Sequence, residues 1–180
     1  MTVILSLVTE VWVEELQAWR EDPTLGSEYD DFGPYAPGGI RRAFAKTGLP
    51  DLRLVLVSAQ DAVAGSDELA GLASWYAHDY GTNTQSRAWN IGVSLRPDFR
   101  GRGIGTLTHR LLVEHLFSTT DAGRLEAGAD VDNASERAVL AKVGFAFEGI
   151  ARGAQHRRGQ YHDMALYGLL RGDQRPWMTG

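Results

Sequence analysis

The chain has 180 residues, 43% of them hydrophobic and 9% aromatic, enough to bury one core but not a second ordinary domain, so a single domain over residues 1–180 is expected. A formal net charge of -5 argues against nucleic acid as the main partner, because neutralising phosphates needs a surplus of Lys and Arg. Cysteine is absent, which removes disulfides, thiolate zinc sites and any cysteine acyl-enzyme, and suits a reducing compartment, so the cytoplasm is the expected location.

The apolar opening at residues 3–8 runs straight into Glu10 with no basic leader or small-residue cleavage site, and reads as a first strand rather than a signal peptide. No stretch reaches the roughly 20 apolar residues of a membrane span. Thr9 and Glu10 then precede Val11, Trp12, Val13, Leu16 and Trp19 at helical spacing, a capped amphipathic helix closed by Pro23. Residues 22–39 hold Pro23, Pro34 and Pro37, the acids Asp22, Glu28, Asp30 and Asp31, and the aromatics Tyr29, Phe32 and Tyr35. Such a long irregular loop is often a binding loop. A short helix follows at residues 40–46.

Residues 52–57 and 69–76 read as a hairpin joined by a small-residue turn at 59–67, and residues 88–95 as a further strand with Trp89, Ile91, Val93 and Leu95 at period two. Beyond a glycine-rich loop, Ile104, Leu107, Leu111, Leu112 and Leu116 mark one face of a helix running to about Phe117. A strand at 125–131, a helix at 134–142 ended by Gly144, and two last strands at 145–152 and 161–169 complete the order, the last pair linked by a basic turn around residues 156–159. This is an α+β chain of about seven strands and four helices. The crossover from 88–95 to 125–131 through one helix makes those two strands parallel, in an otherwise mostly antiparallel sheet.

The chemistry concentrates in Arg100-Gly101-Arg102-Gly103-Ile104-Gly105-Thr106, between a strand end and a helix start. Three alternating glycines strip the turn of side chains, so backbone N–H groups and the positive end of the helix can converge on an anion. Arg100 and Arg102 add charge, and charge-assisted bonds of this kind contribute roughly 1.5 to 3 kcal/mol each. A nucleotide P-loop is excluded because Gly105 is followed by Thr106 without a lysine, and the dinucleotide fingerprint fails because Thr106 stands where its third glycine should be. A plain glycine-rich connector is the structural alternative.

Read with its flanks, residues 92–105 resemble the acetyl-CoA signature of the GNAT acetyltransferase superfamily, Arg/Gln-x-x-Gly-x-Gly/Ala after a strand. Residues 133–145, from Asn133 to Phe145, resemble the helix that follows it, and Phe147-Glu148-Gly149 with Arg152 extends the likeness. With Gly71-Leu72-Ala73-Ser74-Trp75 it covers most of the chain from about Leu52 onward, and is nearest the ribosomal-protein N-terminal (alanine/serine) acetyltransferases. The resemblance implies that amides from Gly101 through Ile104 and Gly105 to Thr106 bind the pyrophosphate of coenzyme A. It also implies that Val93, Ser94 and Leu95 pair with the pantetheine arm where two strands splay apart, and that an amide there serves the thioester oxygen. Asn133 reads as a helix cap with Glu136 in an Asn-x-x-Glu capping box; the resemblance implies that it also touches the cofactor arm, and the same for Ser135.

Amine attack on a thioester needs a base, and a donor for the departing thiolate. Many relatives place a tyrosine five residues before the equivalent of Phe145; here that slot is Leu140, which leaves Ser135 or water as the donor. Candidate bases are His78, Asp79, Glu126, Asp130, His162 and Asp163. His109 and His115 lie six apart, unlike a zinc pair at i, i+4, and no metal is expected. The basic cluster Arg152, His156, Arg157 and Arg158 reads as a solvated turn, with steering of an acidic group as the alternative. The expected activity is N-acetyl transfer from acetyl-CoA to a primary amine; a succinyl or other acyl donor, a noncatalytic coenzyme A sensor and a general anion scaffold are the rivals. Exposed aromatics in the 22–39 loop are compatible with a homodimer.

Overall fold

A computed structural model describes residues 1–33, 36–58 and 67–178. Tyr35 and most of the turn expected at 59–67 lie outside the described residues. Among these, the chain forms strands β1 (Thr2–Leu7), β2 (Leu52–Ser58), β3 (Glu68–Asp79), β4 (Arg87–Leu95), β5 (Arg124–Asp130), β6 (Ala146–Arg157) and β7 (Gln160–Leu170). The helices are α1 (Glu10–Glu21), α2 (Gly39–Thr47), α3 (Ile104–Thr119) and α4 (Ala134–Lys142). The strands build one sheet in the order β1-β2-β3-β4-β5-β7-β6. Every neighbouring pair is antiparallel except β4 and β5, which the helical crossover makes parallel.

Strand β2 shows why helices cover both faces. Leu54, Val55, Leu56 and Val57 are all buried, and successive side chains point to opposite sides of a strand. Leu54 and Leu56 meet Val13, Leu16 and Trp19 of α1, while Val55 and Val57 belong with Leu112, Val113 and Leu116 of α3. Leu16 and Leu112, both fully buried, each contribute about 1.5–3 kcal/mol of apolar burial. The sheet is therefore the middle layer of three, with α1 on one face and α3 on the other.

Several boundaries move for identifiable reasons. Thr9 occupies the N-cap of α1 in an extended conformation, but its side chain accepts no cap hydrogen bond; the turn is closed by its carbonyl, 3.0 Å from the Trp12 amide. The buried stripe of α3 is Ile104, Thr108, His109, Leu112, Val113, Leu116 and Phe117, rotated from the leucine stripe so that Leu107 is exposed. Strand β6 continues to Arg157, five residues past its expected end, because two register shifts, at Phe147/Gly149 and Ala151/Gln155, let it run on through Gly149 and Gly153. The hairpin turn then shrinks to Arg158 and Gly159, both at positive φ (48° and 78°), as a two-residue turn matching strand twist requires.

Candidate active site

Pairing between β4 and β5 stops early. The ladder holds Trp89, Asn90 and Ile91 against Leu125, Glu126 and Ala127 and goes no further, although β4 continues to Leu95 and β5 to Asp130. The strands open into a cleft of about 880 Å³, lined by Gly92, Val93, Ser94 and Leu95 on one side and Gly128, Ala129 and Asp130 on the other. It extends to Gly101, Gly103, Gly105 and Thr106 at the start of α3, and to Asn133, Ser135 and Glu136 at the start of α4. Most of the cofactor-binding residues singled out from sequence thus come together from three separate segments, Arg102 and Ile104 being absent from the lining.

Within the loop, Gly101 and Gly103 have φ of 70° and 79°, and a Cβ at either would meet nothing within 4 Å. Glycine is required there by backbone angle, not crowding, and the bare turn faces the cleft. The two arginines differ in placement, and both donate to backbone carbonyls. Arg100 lines the cleft, but its Nε donates to the Leu95 carbonyl at 2.9 Å and its Nη2 to the Gly26 carbonyl at 3.1 Å. Arg102 is exposed and stands outside the cleft lining, with Nη1 3.3 Å from the Asp98 carbonyl. Ile104 has its side chain fully buried in the core, leaving only its amide for the cleft.

Asn133 caps α4, its Oδ1 accepting from the Glu136 amide at 3.1 Å. The return half of the capping box does not form: the Asn133 amide bonds to the Asp130 carbonyl at 3.0 Å, and Glu136 turns to His109, 3.0 Å away. Ser135 is exposed on the cleft wall, while Leu140, in the slot where relatives carry tyrosine, is fully buried.

Of the candidate bases, Asp130 alone lines the cleft among the described residues. It is buried and ion-paired with the equally buried Arg157, with His162 Nδ1 at 3.6 Å, so a cation already claims its charge. Glu126 sits on the sheet away from the cleft, accepting from Tyr80 Oη and Arg124 Nε and facing His78 Nδ1 at 2.7 Å. Burial alone would raise its pKa, but these partners outweigh burial and hold the carboxyl below its usual range. Asp79 pairs with Arg87, which lowers its pKa by direct hydrogen bonding. Asp163 accepts from the Gly153 amide at 2.7 Å.

The sequence did not reveal how the 22–39 loop is held. Two short 3-10 turns, Pro23–Leu25 and Glu28–Asp30, bring it across the cleft mouth. Arg157 donates to the Glu28 carbonyl at 2.8 Å, Arg158 pairs with Asp31 at 2.6 Å, and Tyr29 Oη donates to the Asp132 carbonyl at 3.3 Å. The expected solvated turn is in fact a strut: Arg157 is 3% exposed. Asp30 Oδ2 accepts from Ser94 Oγ at 3.2 Å, setting a carboxylate beside β4.

A strand pair that opens beside a bare, glycine-turned helix start distinguishes this sheet, and the family model described as an acetyltransferase (GNAT) domain matches residues 2–146. The chain belongs to the GNAT acetyltransferase family. It is 31% identical over 131 residues to YdaF of Bacillus subtilis, which carries the name of a ribosomal N-acetyltransferase, an alignment covering 71% of this chain and 69% of that protein. The GNAT fold is shared with the ribosomal L7/L12 alpha-N-protein acetyltransferase RimL in complex with coenzyme A, at TM-score 0.72, 22% identity, and 94% of both chains covered. It is shared also with the spermidine N-acetyltransferase of Vibrio cholerae in complex with CoA and spermine, at TM-score 0.77, 16% identity, and 95% of this chain and 96% of that one covered. Like these, the chain is an acetyltransferase by family, and among the described residues no helix is long and apolar enough to cross a membrane.

Proposed function

We propose that this GNAT chain moves an acetyl group from acetyl-CoA to a primary amine, on a protein N-terminus or a small cationic molecule, by direct attack. The observation that carries the reading is the continuity of the cleft from the point where β4 and β5 part to the bare amides of residues 101–106. Those amides, at the positive end of α3, suit a diphosphate. The edge of β4 at Val93, Ser94 and Leu95 suits the amide-bearing pantetheine arm, which it would take as an added strand, and an amide there would stabilise negative charge on the thioester oxygen. Asn133 and Ser135 border the same path.

Of the four cleft carboxylates, Asp130 is held by Arg157 and Glu136 by His109, while Glu28 and Asp30 face the mouth from the acidic loop. Acidic groups at the entrance favour a positively charged acceptor. The names of the relatives, which acetylate ribosomal protein or spermidine, point to the same class. We assign Asp30, beside Ser94, the role of receiving the amine proton directly or through water. The amine nitrogen bonds to the acyl carbon, the carbon–sulfur bond breaks, and the thiolate takes a proton from solvent, directly or through the Ser135 hydroxyl, which is reprotonated by water in the same relay.

Gly105→Val tests the reading, with the variant's melting temperature in the absence of ligand reporting any effect on the fold. Gly105 is helical and lines the cleft, and a Cβ there would meet Leu95 Cδ1 at an ordinary 3.7 Å. Acetyl-CoA should raise the melting temperature of the parent, by about 2.7 kcal/mol of stabilisation at one hundred times Kd, and leave the variant unmoved. Thiol release with peptides bearing N-terminal serine or alanine, and with spermine, reports turnover. A parent that neither gains stability nor releases thiol refutes the assignment.

A further inference from the structure

His109 is fully buried on α3 and takes no part in the steps above. Its Nδ1 is 2.9 Å from the Gly105 carbonyl, and its Nε2 is 3.0 Å from Glu136 Oε1, with the carboxylate off the N–H axis so that no well-directed hydrogen bond forms. With an oxygen acceptor near each ring nitrogen, the surroundings favour the doubly protonated imidazolium over either neutral form. Burial disfavours that charge, but Glu136 and the Gly105 carbonyl outweigh it and hold the pKa above its ordinary value. Glu136 is the charged group facing the ring from α4. Arg137 of the same helix turns away to Tyr167 Oη and the Val131 carbonyl, and among the described residues the strands packed on α3 add no charge to the site.

Stability does not explain such a pair, since apolar residues of similar volume would pack as well or better in a buried position. Its placement does. Gly105 and Glu136 both line the cleft, one on the wall formed by the start of α3, the other on the wall formed by the start of α4. Resting on the acyl-CoA reading, we propose that His109 is a positioning residue that pins the glycine-rich turn to the first turn of α4 and thereby sets the width of the acyl-CoA cleft.

The test compares the full chain with His109→Leu, His109→Gln and Glu136→Gln, using calorimetry with coenzyme A and steady-state kinetics. His109→Leu should weaken coenzyme A binding and raise KM for acetyl-CoA by about tenfold, the loss expected of one charged contact, with kcat within about twofold. His109→Gln, which can still donate to Glu136, should recover part of the loss. In the parent, affinity relative to His109→Gln should fall as pH rises through the imidazolium's pKa; ionisation of the cofactor's own phosphates cancels in that ratio. Should His109→Leu not fold, Glu136→Gln, altered at a partly exposed carboxylate, carries the same expectation. Parental Kd in folded His109→Leu and Glu136→Gln, with only a lower melting temperature, overturns the proposal and leaves the acyl-CoA reading standing. A parent without affinity for coenzyme A overturns both.

Discussion

The two ends of the cleft are built by opposite means. The end at α3 is made of backbone: a contiguous turn whose glycines at 101 and 103 carry no side chain toward the cleft, braced by Arg100 on the carbonyls of Leu95 and Gly26. The mouth at the 22–39 loop is made of side chains that reach across the chain, as when Arg157 bonds to the Glu28 carbonyl over a separation of 129 residues. Under the proposed function the contrast has a use: a diphosphate looks alike on every acyl-CoA, so a fixed backbone cradle would serve it, whereas the acceptor varies and would be served by an adjustable loop with long-range ties. The first end should thus be sensitive to backbone changes, the second to the loss of single charges.

The largest expected effect tests the mouth. Arg157→Ala leaves Asp130 buried without its cation and should cost about 3–5 kcal/mol, read as a lower urea midpoint, with acetyl-CoA affinity much less affected in whatever remains folded. If instead stability falls by under about 1 kcal/mol, the loop is held by something else. An intermediate effect tests the cradle: Gly103→Ala places a Cβ at φ 79° and should cost about 1–2 kcal/mol, with coenzyme A affinity reduced as the turn relaxes, both measurable by thermal shift with and without ligand. The smallest effect separates buried from exposed struts. Arg158→Ala removes an exposed ion pair with Asp31 and should change stability by less than about 1 kcal/mol, so a drop as large as that of Arg157→Ala would erase the distinction.

Much of the frame was legible because its signals are local. Alternating runs marked strands such as 52–57, 88–95 and 125–131, the crossover gave the parallel pair, and α4 was read to its terminal residues from Asn133 before it and Gly144 beyond. The cradle was legible for the same reason, since alternate glycines followed by a helix state their geometry within a few residues. What stayed hidden depends on distant partners. Gly149 and Gly153 broke the pattern of β6, so Arg157 read as part of a turn, and nothing local couples it to Asp130. His109 was weighed only with His115 as a zinc pair and set aside on spacing, the leucine stripe of α3 gave no sign that it is buried, and its partner Glu136 was read as half of a capping box. Asp30 lay in a loop whose course is set by contacts rather than by its own residues.

The brevity of the β4–β5 ladder bears on the mechanics of the molecule. Three residue pairs stitch an antiparallel ribbon of β1–β4 to another of β5–β7, so the seam resists prying far less than a full-length ladder would. Stiffness across it is added from above, where α3 lies on the first ribbon, α4 on the second, and the two helices touch. On the reading proposed above, the width of the gap, and with it the bulk of acyl tail it would admit, would follow from the contact between two helices more than from the sheet in which the gap lies.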